Sequence, residues 1–262
     1  MREELFYAVA VDPEDEGART VLADALQLDG DPRGMAMAGS LDPDILEAAK
    51  DRWETELGEN VHEIVLQRGV PVSAEIWISA DDDRALIALD HAPIRNVKLR
   101  FDEDCDMTAD SASPVFTRDS RTARITSLDL AFESWGEPAI RELLAAKLPA
   151  LRRLWIGDYD IHLASAQAIT TNPTLALEDL GLFGDSYADF DDGITVLAGS
   201  PRMASLREIT AANCSLQAAA GYAIGKLRGI QRVDLSSGSN TPNRIGDEGM
   251  LAIMQSPLPE LE

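Results

Sequence analysis

The chain has 262 residues, of which 45% are hydrophobic and 26% charged, a composition typical of a folded globular or repeat protein. Its 46 acidic residues outnumber 23 basic ones, and the formal net charge of −23 opposes broad contact with nucleic acid or with an anionic membrane surface. No apolar stretch approaches the length of about 18 residues that a membrane-spanning helix needs, and the first residues lack the pattern of an export signal. We therefore expect a cytoplasmic protein that binds neither nucleic acid nor membrane.

The first sixty residues carry an acidic excess and three helix-start signals. They hold 16 acidic and 5 basic residues. This acidic excess either contributes to solubility alone or also contributes to the choice of a binding partner. Asp-Pro pairs begin at Asp12, Asp31 and Asp42, each ahead of a helix-compatible run. Aspartate accepts hydrogen bonds from the free amides of a first turn, and proline at the first helical position lacks an amide that would be unpaired there. Gly30 and Gly58 stand where a helix ends in a left-handed residue, so the pattern predicts three helices.

The six residues 29–34, DGDPRG, also raise the question of a metal-binding loop. A calcium loop needs further oxygen ligands and a closing glutamate, and the twelfth position counted from Asp29 is Ser40. We interpret the stretch as the end of one helix joined to the start of the next.

The segment from Asp12 to Gly39 reads DPEDEGARTVLADALQLDGDPRGMAMAG. It resembles a short bacterial repeat-companion domain, abundant in planctomycetes and myxobacteria, which commonly precedes leucine-rich repeats. The resemblance implies a helical domain over residues 1–60 without catalytic activity of its own. Ala25 departs from the family, which usually has tryptophan there, and we expect Trp53 to substitute for it in part. The matching residues are Pro13, Asp15, Arg19, Leu22, Ala23, Asp24, Leu26 and Gly30 through Gly34.

Residues 61–93 are interpreted as a junction and first cap, with Ile76 and Ile78 on a strand and Leu86, Ile87 and Leu89 on a helix. Residues 102–124 have no helical period and are rich in Asp, Ser, Thr and Ala. Such an insertion is either a binding loop or a surface loop without a function of its own. The second alternative is open because surface loops lengthen at small entropic cost.

One apolar motif, L-x-x-L-x-L with conservative replacements, recurs from residue 94 onward. Its residues 1, 4 and 6 face one side of a short strand, and the intervening ones face the other. The period is close to that of leucine-rich repeats, and units of this size bury their core only by stacking. The copies are IRNVKL at 94, ITSLDL at 125, LRRLWI at 151, LEDLGL at 177, LREITA at 206 and IQRVDL at 230, and LPEL at 258 begins a seventh.

Apolar residues at helical spacing predict a return helix after most strands. Long repeats with helical returns resemble the ribonuclease-inhibitor class of leucine-rich repeat, which implies an α/β horseshoe solenoid over residues 61–262 with parallel strands on its concave face. The residues that carry the spacing are Ile140, Leu143 and Leu144; Ala166 and Ile169; Ile194, Leu197 and Ala198; Ala219, Tyr222, Ala223 and Leu227; and Leu251, Ala252 and Met254.

The two cysteines are predicted to remain unpaired. Cys214 matches the cysteine of the eleven-residue leucine-rich signature, LREITAANCSL, so we expect a buried and unreactive thiol after the strand. Cys105 lies four repeats earlier, and four strand spacings of about 4.8 Å exceed the separation that a disulfide tolerates.

The exposed motif positions 2, 3, 5 and 7 are the candidate binding face of the stacked strands. Exposed aromatic residues beside arginines are typical of binding hot spots. We therefore predict a protein partner with an acidic patch that docks near Trp155; the alternative is that the arginines are simply solvated. The partner-binding candidates are Arg95, Lys98, Arg100, Arg152, Arg153, Trp155, Phe183, Arg207 and Arg232, and the acids of the face are Asp129, Glu178, Asp179, Glu208 and Asp234.

Nothing in the sequence favours catalysis or a cofactor. His62, His91 and His162 fall in different segments, so no nucleophile, base and orienting acid come together. We predict a non-catalytic protein-interaction module, with its oligomeric state undetermined. Two rival classes remain: an inhibitor or immunity-type protein that covers an enzyme's active site, and a hydrolase whose Asp104 and Asp106 lie in the insertion.

Overall fold

The computed structural model describes residues 2–78, 87–101, 120–131, 137–157, 162–184, 190–237 and 242–255. The chain divides into two compact units, residues 1–105 and residues 106–262. The fold is α/β, with strands that are mostly parallel and helices between them, which confirms the predicted class. The predicted division at residue 60, between a helical domain and a solenoid domain, stays a prediction.

The first unit opens with four helices. Asp31 and Asp42 cap the helices that follow them, as predicted: their carboxylates accept hydrogen bonds from the amides of Arg33 and Asp44 at 3.0 Å. The same prediction for Asp12 is wrong, because the cap of the second helix is Asp15, which accepts from the amide of Ala18. The helices are α1 Arg2–Val11, α2 Glu16–Leu28, α3 Pro32–Met37 and α4 Pro43–Leu57.

The stretch DGDPRG joins α2 to α3, as predicted, and it also places a charged side chain in the core. Gly30 has a φ of +70°, the left-handed conformation that ends α2. Arg33 is only 1% exposed, and its guanidinium lies 2.7 Å from the carboxylate of Asp31 and 2.6 Å from that of Glu56. The same guanidinium stacks against the buried ring of Trp53 at 4.7 Å. Two carboxylates and an aromatic face thus compensate for the lost hydration of Arg33.

Three strands complete the first unit. The first two form an antiparallel hairpin, and the third pairs in parallel with the second. The indole of Trp53 donates to the carbonyl of Gly69, in the turn of the hairpin, at 3.0 Å, which ties α4 to the strands. The elements are β1 Val61–Gln67, β2 Val70–Ile78, a short helix α5 Ala88–His91 and β3 Asn96–Phe101.

The interpretation of residues 61–93 is partly confirmed. Ile76 and Ile78 lie buried on β2, and Leu89 lies buried on α5. Ile87 immediately precedes α5 in helical conformation, and its side chain is exposed. Leu86 and residues 102–119 of the insertion lie outside the described residues.

The second unit contains five parallel strands that pair in chain order. Leu128, Leu154 and Leu180 lie side by side in this register and are fully buried, as the repeat predicted. In all five, the strand begins at the third residue of the motif. The strands are β4 Ser127–Leu130, β5 Arg153–Gly157, β6 Asp179–Phe183, β7 Glu208–Ala212 and β8 Arg232–Asp234.

A helix follows each strand of the second unit, as the apolar spacing predicted. The last two helices differ from that prediction in their buried residues: Tyr222, Leu251 and Met254 are exposed, whereas Gly221 and Ile253 are buried. The helices are α6 Glu137–Ala145, α7 His162–Thr171, α8 Asp191–Gly199, α9 Ala218–Ile224 and α10 Gly246–Met254, with short 3₁₀ turns at Ser120–Arg124 and Pro201–Ser205. No helix of the described ranges has both the length and the apolar character needed to cross a membrane.

Cys214 lies buried just after β7, as predicted, with its sulfur 3.3 Å from the carbonyl oxygens of Leu182 and Ala212. Burial raises the pKa of this thiol to about 12. Cys105 lies outside the described residues.

Replacing Gly221 by alanine should destabilise the second unit. A Cβ at Gly221 would lie 2.6 Å from the Cα of Gly249, so α9 and α10 would have to move apart. Overpacking of this kind costs about 1–3 kcal/mol. The matched control is Gly199→Ala at the end of α8, where no described atom lies within 4 Å of the added Cβ. Urea unfolding should show a lower midpoint for Gly221→Ala alone; equal midpoints would contradict the close packing of these helices.

In a Cys105→Ser variant, native Cys214 should resist alkylation. Burial raises the pKa of its thiol to about 12, so the native protein holds almost no thiolate at mildly alkaline pH. Iodoacetamide should label the urea-unfolded variant readily and the native variant hardly at all, as measured by intact mass. Labelling of the native form at the unfolded rate would show that the thiol is accessible.

Candidate functional site

The structure places the nine predicted binding residues in two separate sets, one in each unit. Arg95, Lys98 and Arg100 lie on or beside β3 in the first unit. The other six lie on or beside the strands β5 to β8 of the second unit: four are strand residues that alternate with the buried leucines, whereas Arg152 and Arg207 immediately precede β5 and β7. They are Arg152, Arg153, Trp155, Phe183, Arg207 and Arg232.

Two partly exposed aromatic rings meet on neighbouring strands of the second unit. The rings of Trp155 on β5 and Phe183 on β6 have centroids 5.5 Å apart and are tilted by 56°. Gly181 is aligned with Trp155 in the strand register, and a Cβ there would lie 2.7 Å from the indole Cδ1. The indole therefore occupies the space that a side chain at position 181 would fill. We call Trp155, Gly181 and Phe183 the aromatic patch.

Asp179 holds the indole of Trp155 in place from the next strand. Its carboxylate, 8% exposed at the residue level, accepts a 2.6 Å hydrogen bond from Nε of Arg153 and a long one, 3.4 Å, from Nε1 of Trp155. The guanidinium of Arg153 lies 5.9 Å from the centre of the indole ring, within the range of a cation–π contact. Carboxylate, guanidinium and glycine together fix the tryptophan before any ligand arrives.

The remaining arginines of this face also have partners within the protein. Arg152 lies 3.7 Å from Glu178, and Arg232 lies 3.5 Å from Glu208. Arg207 donates to the carbonyl of Gly229. Since these contacts are exposed, each contributes little to stability, and a ligand could replace them.

The first unit holds a second tryptophan with a similar environment. Glu75 on β2 is 8% exposed; it accepts a 2.7 Å hydrogen bond from the indole of Trp77 and lies 2.5 Å from Nζ of Lys98 and 3.5 Å from Nε of Arg100. The ring of His62 meets that of Trp77 edge-on at 5.4 Å.

Glu75 and Trp77 were not among the binding residues predicted from the sequence. The signal that could have found them is the alternation along β2, which puts both on the side opposite Ile76 and Ile78. Arg95, also in this unit, donates instead to the carbonyl of Val11 at the end of α1.

The charge environment of Glu75 favours its ionised form. Burial alone would raise the pKa of this carboxyl, but hydrogen bonds from Lys98 and Trp77 and the charges of Lys98 and Arg100 hold it below the ordinary value. The hydrogen bond to Glu75 correspondingly raises the pKa of Lys98, despite partial burial and the nearby charge of Arg100. The pair is a stable salt bridge and has no group poised to transfer a proton near neutral pH.

Metal chemistry has no candidate among the residues that the structure describes: no group of three or more His, Cys, Asp or Glu side chains is arranged to hold an ion. His62 lies on β1 and His91 at the end of α5. The side chain of His162 and the insertion residues Asp104 and Asp106 lie outside the described part of the chain. The prediction of a non-catalytic protein stays a prediction.

Comparison with protein-family models and with curated protein sequences found no match.

Replacing Glu75 by glutamine should lower stability at neutral pH and have less effect in acid. The pKa of Glu75 is lower in the folded state, so its ionised form stabilises the fold above the ordinary pKa of 4.5. That contribution is lost as the pH falls through the lowered folded pKa.

The difference in unfolding free energy between wild type and Glu75→Gln, measured in urea from about pH 7 to about pH 3, should therefore shrink toward acid. Glu47→Gln, at an exposed position of α4, is the control and should show a much smaller difference. A Glu75→Gln difference that does not vary with pH would contradict the salt bridge.

Proposed function

We propose that the chain is a leucine-rich-repeat solenoid that works as a non-catalytic protein-interaction module. Support for the solenoid comes from the repeated motif and from the in-register row of buried leucines across β4 to β6. In this proposal, a protein partner binds the exposed side of β5 to β8 in the second unit.

The observation that carries the proposal is the aromatic patch. Trp155 and Phe183 are partly exposed on neighbouring strands, although apolar rings of this size are usually buried. Asp179, Arg153 and Gly181 fix the indole, so little side-chain entropy is lost when a ligand covers it. Rigid tryptophan beside arginine is the composition of interaction hot spots.

In the proposal, charge on the partner is secondary to contact with Trp155, because Arg152 and Arg232 already have acidic partners within the protein. An acidic patch on the partner would have to compete with Glu178 for Arg152 and with Glu208 for Arg232. Arg207 immediately precedes β7 and donates only to a carbonyl among its described contacts, so it is the arginine of this set best placed to meet an acidic group. We therefore propose an apolar anchor on Trp155, flanked by an acidic group near Arg207.

Trp155→Ala should weaken partner binding at least about tenfold, the usual loss at a hot spot. The partner is first identified by capture from the source cell on immobilised wild-type protein followed by mass spectrometry. It is then purified and titrated against the variants by calorimetry. Loss of the indole removes contact area but leaves the Arg153–Asp179 pair, so thermal unfolding should change little.

The control is Tyr222→Ala on α9, which removes an exposed aromatic residue of similar size from the helix layer. It should bind the partner as wild type does. Equal affinities for wild type and Trp155→Ala, with both variants folded, would show that the aromatic patch is not the binding site.

A further inference from the structure

Helix α2 of the first unit carries exposed apolar side chains on the side opposite its core face. Leu22, Ala23 and Leu26 are buried where α2 packs within the first unit, against α1 and α3. Val21 is 53% exposed and Leu28 is 88% exposed. Seven residues are close to two full helical turns, so Val21 and Leu28 lie within about 20° of each other around the helix axis. They form one apolar line on the outer side of α2.

The charged side chains that α2 exposes are acidic. Asp24 lies between Val21 and Leu28 on the same side of the helix, is exposed, and makes no ion pair with any described residue. Glu16, in the first turn, is 78% exposed. Arg19 is the one base of the helix; its side chain is only 12% exposed, lies 3.5 Å from Glu16 and donates to the backbone just before the helix. We call Val21, Asp24 and Leu28 the α2 stripe.

The helix that carries the α2 stripe is fixed by contacts on its other sides. Asp15 caps its start by accepting a hydrogen bond from the amide of Ala18 at 3.1 Å. Gly34 of α3 lies directly against the α2 backbone, because a Cβ there would be 2.7 Å from the carbonyl oxygen of Ala23 and 2.6 Å from the amide nitrogen of Gln27. A ligand therefore meets a helix that is already formed, and little ordering entropy opposes binding.

We propose that the α2 stripe binds a basic amphipathic helix of another protein. Apolar residues on one side of such a helix cover Val21 and Leu28, and a lysine or arginine at the border of that side pairs with Asp24. Charge excludes a second copy of α2 as the occupant, because two such helices would bring their Asp24 carboxylates together. The surrounding residues 1–60, with 16 acids against 5 bases, repel an acidic segment and attract a basic one.

Titration of a model peptide with the full chain tests the proposal. The probe is a fluorescein-labelled peptide in which the heptad Leu-Lys-Lys-Leu-Leu-Lys-Leu occurs twice, so that its helix has one apolar and one basic side. Fluorescence anisotropy at about 0.15 M salt gives its affinity. Wild type should bind it, whereas Leu28→Gln and Asp24→Lys should each weaken binding at least about tenfold, the loss expected when a buried leucine contact or a charge match is removed.

Matched variants separate the α2 stripe from the general acidity of the chain. Leu41→Gln removes an 87% exposed leucine between α3 and α4, and Glu47→Lys reverses an exposed acid on α4. Both should bind the peptide as wild type does, and so should Trp155→Ala, which changes the aromatic patch alone. Glutamine and lysine are good helix formers, so α2 should persist in the test variants, and circular dichroism checks their fold.

Three outcomes would overturn the proposal. The first is a wild-type chain that does not bind the peptide. The second is an equal loss of affinity in Asp24→Lys and Glu47→Lys, or in Leu28→Gln and Leu41→Gln, because binding would then reflect charge or apolar exposure anywhere on the chain. The third is a loss in Trp155→Ala alone, which would place the peptide on the aromatic patch. A peptide with glutamate in place of every lysine should not bind the wild-type chain.

Discussion

In-register pairing of parallel strands is the constraint on which the second unit depends. Each repeat contributes one short strand and one helix. A single repeat is too small to bury its own apolar side chains. The register places Leu154 beside Leu128 on one side and Leu180 on the other, so every strand completes the core of its neighbours. A shift of one residue would turn this row toward the solvent, and the hydrophobic effect therefore fixes the register.

The same register builds the aromatic patch from two repeats. Asp179 lies beside Arg153, and Gly181 lies beside Trp155, because equal motif positions align across neighbouring strands. The carboxylate that holds the indole and the glycine that makes room for it thus both come from the repeat after the tryptophan. The core leucines act on the site indirectly: they fix the register, and the register brings these side chains within contact distance.

The sequence predicted those features that the repeat period controls. Strand positions, the buried leucines and Cys214 follow from the motif, because a residue's place in the period decides which side it faces. Features that are not part of the repeated motif were harder to predict from the sequence. The hairpin of β1 and β2 has no copy among the other described strands, so Glu75 and Trp77 had no aligned equivalents. The start of α1 carried no recognisable capping residue.

Long-range contacts were also invisible in the sequence. Arg33 looked like part of a turn, but its burial depends on Glu56 and Trp53 in a different helix. In the sequence, Gly181 looked like an ordinary strand residue. The reason for a glycine there is the indole of Trp155, 26 positions earlier in the chain, which fills the space of a side chain. In the last two helices, apolar spacing did not separate buried from exposed residues. Gly221 and Gly249 bring α9 and α10 close together, which decides the buried side in a way that hydrophobicity alone does not encode.

Local charge balance distinguishes the proposed binding face from the chain as a whole. In the row formed by the third motif position, Arg153, Asp179, Glu208 and Arg232 follow one another across β5 to β8, so two bases enclose two acids. Opposite charges at this spacing cancel within a few ångströms, and salt screens what remains beyond about 8 Å. A partner approaching Trp155 therefore meets little net field from this row, although the chain is strongly acidic. In the proposed interaction, recognition would therefore depend on contact with the rings, and long-range steering, which governs association between oppositely charged surfaces, would contribute little.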